Sequence, residues 1–226
     1  MEWRGRTSGG THVKPLLASF AALIAVVCAC PAPAQVAGQL EGAVPIAVNQ
    51  HVLGGYVAVA QHQAAALCQL RLSFYPGVDF GFQGGLHRYD GDGGGASRTA
   101  VELGGDVRTL VVRRGPGAPF DVSLGGALQL SSADHRSVLG VGPTLAAGRS
   151  YTYTGGSELS PYFGFALLYT RSDAGGTNTT DLSLPLRAGL EYQPNTSVRL
   201  VAELQVPLSD PQGTHPKLIL GANFPF

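Results

Sequence analysis

The sequence predicts an all-β protein, a closed antiparallel up-and-down transmembrane β-barrel that follows an N-terminal signal peptide. Three observations predict it. Most segments beyond Leu67 alternate apolar and polar residues with period two. The breaks between them alternate between compact turns and looser polar loops. Residues 1–34 read as an export address and not as part of a fold.

The address comes first. Arg4, Arg6 and Lys14 precede the apolar run from Leu16 to Val27, and Ala32-Pro33-Ala34 supplies a small-residue exit. A basic segment, a short apolar segment and an A-x-A site describe a secretory signal, with cleavage expected after Ala34. The run is shorter than the roughly 20 apolar residues of a spanning helix. This divides the chain into a signal peptide, 1–34, and a barrel domain, 35–226. Val27-Cys28-Ala29-Cys30 loosely resembles a lipobox, so lipidation at Cys30 is the alternative; Pro31 and the later A-x-A site compete with it.

Beyond Ala34 the chain carries 12 Lys and Arg against 14 Asp and Glu, a net charge of −2. That balance argues against a nucleic-acid partner. Cys68 is the one cysteine left there, which excludes an internal disulfide and a cysteine-based zinc site.

The strands follow in order. At least one is expected from Tyr56–Gln61 or Leu40–Val48. Ala64–Cys68 has the look of a helical turn but is too short to stand alone. Leu70, Leu72 and Phe74 then alternate with Gln69, Arg71 and Ser73. Val78–His87 puts apolar residues or Gly at even positions and polar or small ones at odd positions. Val101, Leu103, Val107 and Val111 oppose Glu102, Asp106 and Arg108. Phe120, Val122, Leu124, Leu128 and Leu130 oppose Asp121, Ser123 and Gln129. Phe163, Phe165, Leu167 and Tyr169 share a face. Leu182–Leu190 and Val198–Val206 repeat the pattern, and Leu218, Leu220, Ala222, Phe224 and Phe226 oppose Lys217, Gly221 and Asn223. Successive side chains of a strand point to opposite faces, so each segment has one apolar and one polar face. The count predicts ten strands, with eight as the alternative. Pro143 and Pro185 fall within strands and imply a bulge or a strand end, because proline removes a ladder donor.

Tyr75-Pro76-Gly77, Arg113–Pro119 and Gln193-Pro194-Asn195 are compact turns. Tyr89–Arg98, Ser131–Ser137, Ser172–Thr180 and Leu208–Pro216 read as loose loops. Ser150–Glu158 breaks the alternation by being longer than a turn.

Which face is inside follows from the polar rows. They are rich in Gly and sparsely charged, with both signs present, as the crowded interior of a narrow barrel requires; a water-facing exterior carries more charge and more Lys. The expected lumen charges are Glu102, Asp106, Arg108, Arg187, Glu191, Arg199 and Glu203, a salt-bridge network that fills the barrel. Buried charges must be paired, and Arg187 and Glu191 lie on one strand with Arg199 and Glu203 on the next.

Taken together, the signal peptide, the Gly-rich alternating strands, the Tyr-Pro-Gly hairpin before Val78-Asp79-Phe80-Gly81-Phe82 and the segment Leu218–Phe226 resemble the small outer-membrane β-barrel proteins of Gram-negative bacteria. The resemblance implies outer-membrane lipids and lipopolysaccharide as surroundings. It also implies recognition of Phe224 and Phe226 by the barrel assembly machinery, although Pro225 departs from the usual ending.

No catalytic or cofactor set is visible. Asp90-Gly91-Asp92-Gly93 resembles the start of a calcium loop, but its twelfth position is Val101 and not Glu. Asp134-His135-Arg136 beside Ser131-Ser132 shares one short loop and lacks a scaffold for a triad. His51, His62, His135 and His215 are too scattered for a metal site by spacing. The expectation is a non-enzyme without metal or cofactor, with a plugged or narrow lumen and a structural, adhesive or interaction role. The rivals are a narrow pore for small solutes and a soluble lipocalin-like binder.

Overall fold

The computed structural model describes residues 40–89, 97–133, 136–174, 176–208 and 215–226. The expected signal peptide, the Asp90–Gly95 segment and Asp134-His135 lie outside the described residues.

Period-two alternation becomes thirteen strands: β1 (His51–Ala60), β2 (Gln63–Tyr75), β3 (Val78–Tyr89), β4 (Arg98–Val112), β5 (Asp121–Ala133), β6 (Arg136–Gly148), β7 (Tyr151–Thr152), β8 (Glu158–Ala166), β9 (Leu168–Ala174), β10 (Thr177–Ser183), β11 (Pro185–Asn195), β12 (Val198–Pro207) and β13 (Lys217–Pro225). All pairings are antiparallel. β1 pairs with both β2 and β13, and β6 pairs with β5 on one side and with β8 and β9 on the other, so the sheet closes on itself. β8 and β9 form one wall strand interrupted at Leu167, and β10 and β11 form another interrupted at Leu184. With the two-residue β7 set aside, ten strands make the ring.

Proline explains both interruptions. Pro143 has no N–H to offer the Leu167 carbonyl, and only the reverse bond, Leu167 N to Pro143 O at 2.9 Å, remains. Pro185 opens β11 beside the second gap. The expected irregularity at Pro143 therefore falls on its partner: Pro143 itself stays in register inside β6, opposite Gly126.

Several loop expectations are corrected. Leu40–Val48 is not a strand; its buried residues, Leu40–Ala43, Pro45 and Ile46, lie inside the barrel. Ala64–Cys68 is no helical turn but part of β2. Ser131–Ser137 and Ser172–Thr180 are not loose loops: β5 runs to Ala133 and β6 begins at Arg136, while β9 runs to Ala174 and β10 begins at Thr177. These polar residues pair as strand ends, because cross-strand bonding does not require an apolar face. Ser150–Glu158 is longer than a turn, as read, and folds back through β7 onto β8. At Pro76-Gly77 the hairpin needs the left-handed backbone that Gly77 supplies, with φ of 73°.

One end of the barrel, the turn end, holds His51, Gly77, Phe120 and Asn195. The other, the loop end, holds Ala60, Tyr89, Ala133 and Lys217. The rows face as a membrane barrel requires. Outward-facing Leu103 and Leu128 are 56% and 52% exposed, whereas inward-facing Arg71 and Arg108 are fully buried. A water-soluble barrel turns its apolar rows inward, so the lipocalin-like alternative is excluded. β1–β6 are 10 to 15 residues long, enough to cross hydrocarbon at a tilt, for which about 9–11 residues suffice.

Candidate functional site

A strap, Leu40–Val48, runs from the lumen, where Leu40–Ala43, Pro45 and Ile46 are buried, to the turn end beside β1, where Ala47 and Val48 are exposed. It forms no ladder with any strand. Side chains of the wall satisfy its backbone instead. The Leu40 carbonyl accepts from the Tyr56 hydroxyl at 3.0 Å and from Asn223 Nδ2 at 3.3 Å. The Gly42 carbonyl accepts from Arg108 Nη1 at 2.5 Å, and the Gly42 N–H donates to Glu191 at 3.3 Å. The Ile46 N–H donates to Asp79 at 3.0 Å. Leu40 itself is fully buried in an inward-facing cluster with Tyr56, Ala58, Ala65, Leu67, Val201 and Ile219.

Glu41 is the latch. Its carboxylate lies 3.2 Å from Arg71 Nε, 3.1 Å from Arg108 Nη2 and 3.0 Å from Arg199 Nη1. Those arginines also bind the wall's own acids. Arg71 bridges to Asp106 at 2.8 Å and to Asp79 at 2.5 Å. Arg108 grips Asp79 with Nε at 2.8 Å and Nη2 at 2.7 Å, and Arg199 reaches Glu191 at 3.7 Å. The cluster thus sets three guanidinium groups against four carboxylates. Arg71, on β2, reaches Asp106, on β4, across Gly81 on the intervening strand. A Cβ at Gly81 would fall on the Asp106 carboxylate and the Arg71 guanidinium, so the glycine is what lets the pair meet.

Nearer the loop end are two further groups. His87 Nε2 lies 2.5 Å from Glu102, with the buried Lys217 within Coulombic range of that carboxylate. Glu203 accepts from the Tyr162 hydroxyl at 2.8 Å and from Gln205 at 2.6 Å, and feels the charge of Arg187.

Two tyrosines brace the wall between these layers. Tyr56 stands directly opposite Gly221, and Tyr162 opposite Gly189. A Cβ at either glycine would overlap the facing ring. Gly189→Val is therefore expected to destabilise the barrel by about 1–3 kcal/mol through overpacking, read by urea unfolding. A loss under about 0.5 kcal/mol would show that the ring does not lie over the glycine.

Of the residues read as lumen charges, Glu102, Asp106, Arg108, Arg187, Glu191 and Glu203 are buried on the inner face; Arg199 is on the same face, its side chain 17% exposed. Sequence reading passed over Glu41, which carries the latch. It placed Arg71, Asp79, His87 and Lys217 on polar faces without naming them as members. Phe224 and Phe226 are exposed on the outer wall, 50% and 69%. Cys68 is exposed on the outer, apolar face. Among the described residues no group of three His, Cys, Asp or Glu side chains could hold a metal ion.

No family model and no curated protein matches this chain. Solved structures similar to it include the β domain of the Bordetella autotransporter BrkA, at 11% identity, covering 82% of this chain and all of that one, TM-score 0.47. The N-terminal β-barrel domain of Pseudomonas aeruginosa OprF is similar at 11% identity, covering 79% and 98%, TM-score 0.36.

Proposed function

We propose that the protein is an outer-membrane barrel sealed by its own N-terminal strap, a non-conducting wall protein that meets partners through its loop end. The observation that carries this reading is Glu41, held inside the barrel by three arginines. A carboxylate so placed, with the strap backbone bonded to wall side chains on several strands, blocks the turn-end half of the lumen. The outward apolar rows support a hydrocarbon surrounding, and the basic leader before Ala34 supports export. In the same reading, outer-membrane lipids and lipopolysaccharide surround the wall, and Phe224 and Phe226 are where the assembly machinery engages the chain. The closed pairing of the lumen charges favours a structural or interaction role over solute passage or catalysis.

The test is planar-bilayer recording of the full chain together with a crosslink. No steady single-channel steps are expected, and steady steps would refute the seal. The site for a Cβ on Gly148 lies 3.2 Å from the Ala43 Cβ, slightly inside the ordinary disulfide separation of about 3.5–4.5 Å. With Cys28, Cys30 and Cys68 each replaced by Ser, Ala43→Cys with Gly148→Cys should therefore crosslink in oxidant while heat-modifiable migration is kept. Folded protein that stays uncrosslinked would mean the strap lies elsewhere.

A further inference from the structure

At the turn end, the exposed arginines among the described residues are Arg113, Arg114 and Arg149, and they sit on two adjoining turns. Arg114 joins the turns: its Nη1 donates to the Ser150 carbonyl at 2.5 Å, and its backbone N–H donates to Asp121 at 2.8 Å. Arg113 and Arg149 have no ion-pair partner among the described residues. Arg149 lies over the Tyr151 ring, 5.0 Å from its centroid, and Tyr151 is 44% exposed. Directly above this rim the outer wall is apolar, with Val111, Phe120 and Leu124 exposed. The nearest acids do not neutralise the pair: Asp121 points inward and is buried, and Glu158 is half-buried against Ser160.

The neighbouring sector of the same rim, on β13, β1, β2 and β3, differs. There His51, Phe74, Phe80 and Phe226 make an aromatic cluster with ring centroids 5.7 to 6.4 Å apart, and Arg71 on β2 and Arg108 on the adjoining β4 are buried on the inner face. The sector at Tyr151 sets exposed cations beside an interfacial aromatic where the apolar wall ends.

We propose that Arg149, which lies over Tyr151, and Arg113 on the adjoining turn bind the phosphate headgroup of an anionic phospholipid in the leaflet at the turn end. A guanidinium presents a planar fork that matches phosphate oxygens. Tyrosine belongs at the boundary between hydrocarbon and headgroups. The site rests on the membrane reading above, because it needs lipid against this wall.

The test uses quenching of a local tryptophan by brominated lipid. Trp3 is the one tryptophan of the chain, so a Trp3→Phe background with Tyr151→Trp places the reporter at the site. The full chain is reconstituted with brominated phosphatidylglycerol or brominated phosphatidylcholine. The anionic lipid should be preferred about fivefold, the scale set by a basic side chain near an anionic surface. Arg113→Gln with Arg149→Gln should bring the ratio close to one, with heat-modifiable migration as the check on folding. A second reporter, Phe74→Trp on the aromatic sector, should show no preference. An equal preference at both reporters, or one that survives loss of both arginines, would overturn the site and leave the membrane reading standing. Absence of quenching by either lipid at either reporter would overturn the membrane reading itself.

Discussion

Replacing Arg108 with methionine will cost the folded barrel about 3–5 kcal/mol, the scale for removing one partner from a buried charge group. Arg108 is fully buried, and its guanidinium serves Asp79, Glu41 and the carbonyls of Gly42 and Val44 at once. Its loss leaves four carboxylates facing Arg71 and Arg199 alone. Asp79 retains Arg71, but the strap loses two of the carbonyl bonds that hold it. Urea unfolding of the reconstituted protein reads the stability. Limited proteolysis within Leu40–Val48 reads the strap, which should become cleavable. Adding Asp79→Asn should recover part of the loss, since the two residues share one interaction. A change below about 1 kcal/mol, with the strap still protected, would contradict the latch.

Leu128→Arg should destabilise the reconstituted barrel by about 2–4 kcal/mol, the range for a cation on the lipid face near the midplane. Leu128 lies midway along β5, 52% exposed on the outer wall. On a surface that meets water the same change would fall within about 0.5 kcal/mol of zero. Urea unfolding of the same preparation separates the two outcomes, and a neutral result would turn the wall from lipid to solvent.

The wall was legible in the sequence because two-residue periodicity is a local property. Each strand states for itself which side chains share a face, as Leu70 and Leu72 do against Gln69 and Arg71. Partner choice inside the lumen was not legible. Arg71 meets Asp106 only because three strands stand in a particular register and Gly81 leaves a gap between them. Glu41 was missed for a different reason. Leu40–Val48 carries enough apolar residues to imitate a strand, and nothing local says that its backbone will be bonded by side chains and not by a ladder. The polar ends of β5, β6, β9 and β10 were misread as loops for the converse reason, since strand ends that stand clear of the apolar belt lose the alternation that marks the rest.

The pairing of β1 with β13 carries a consequence for how the molecule comes to exist. Val52 and Pro225 sit side by side in the finished ring, yet nearly the whole domain separates them along the chain. Until that seam zips, the sheet has two raw margins of unmet amides and carbonyls, which hydrocarbon cannot solvate and which invite pairing with other chains. Closure is also a distant contact of the kind that forms slowly. The half-made cylinder is therefore the vulnerable species, and whatever shelters it must do so until the thirteenth strand is in place.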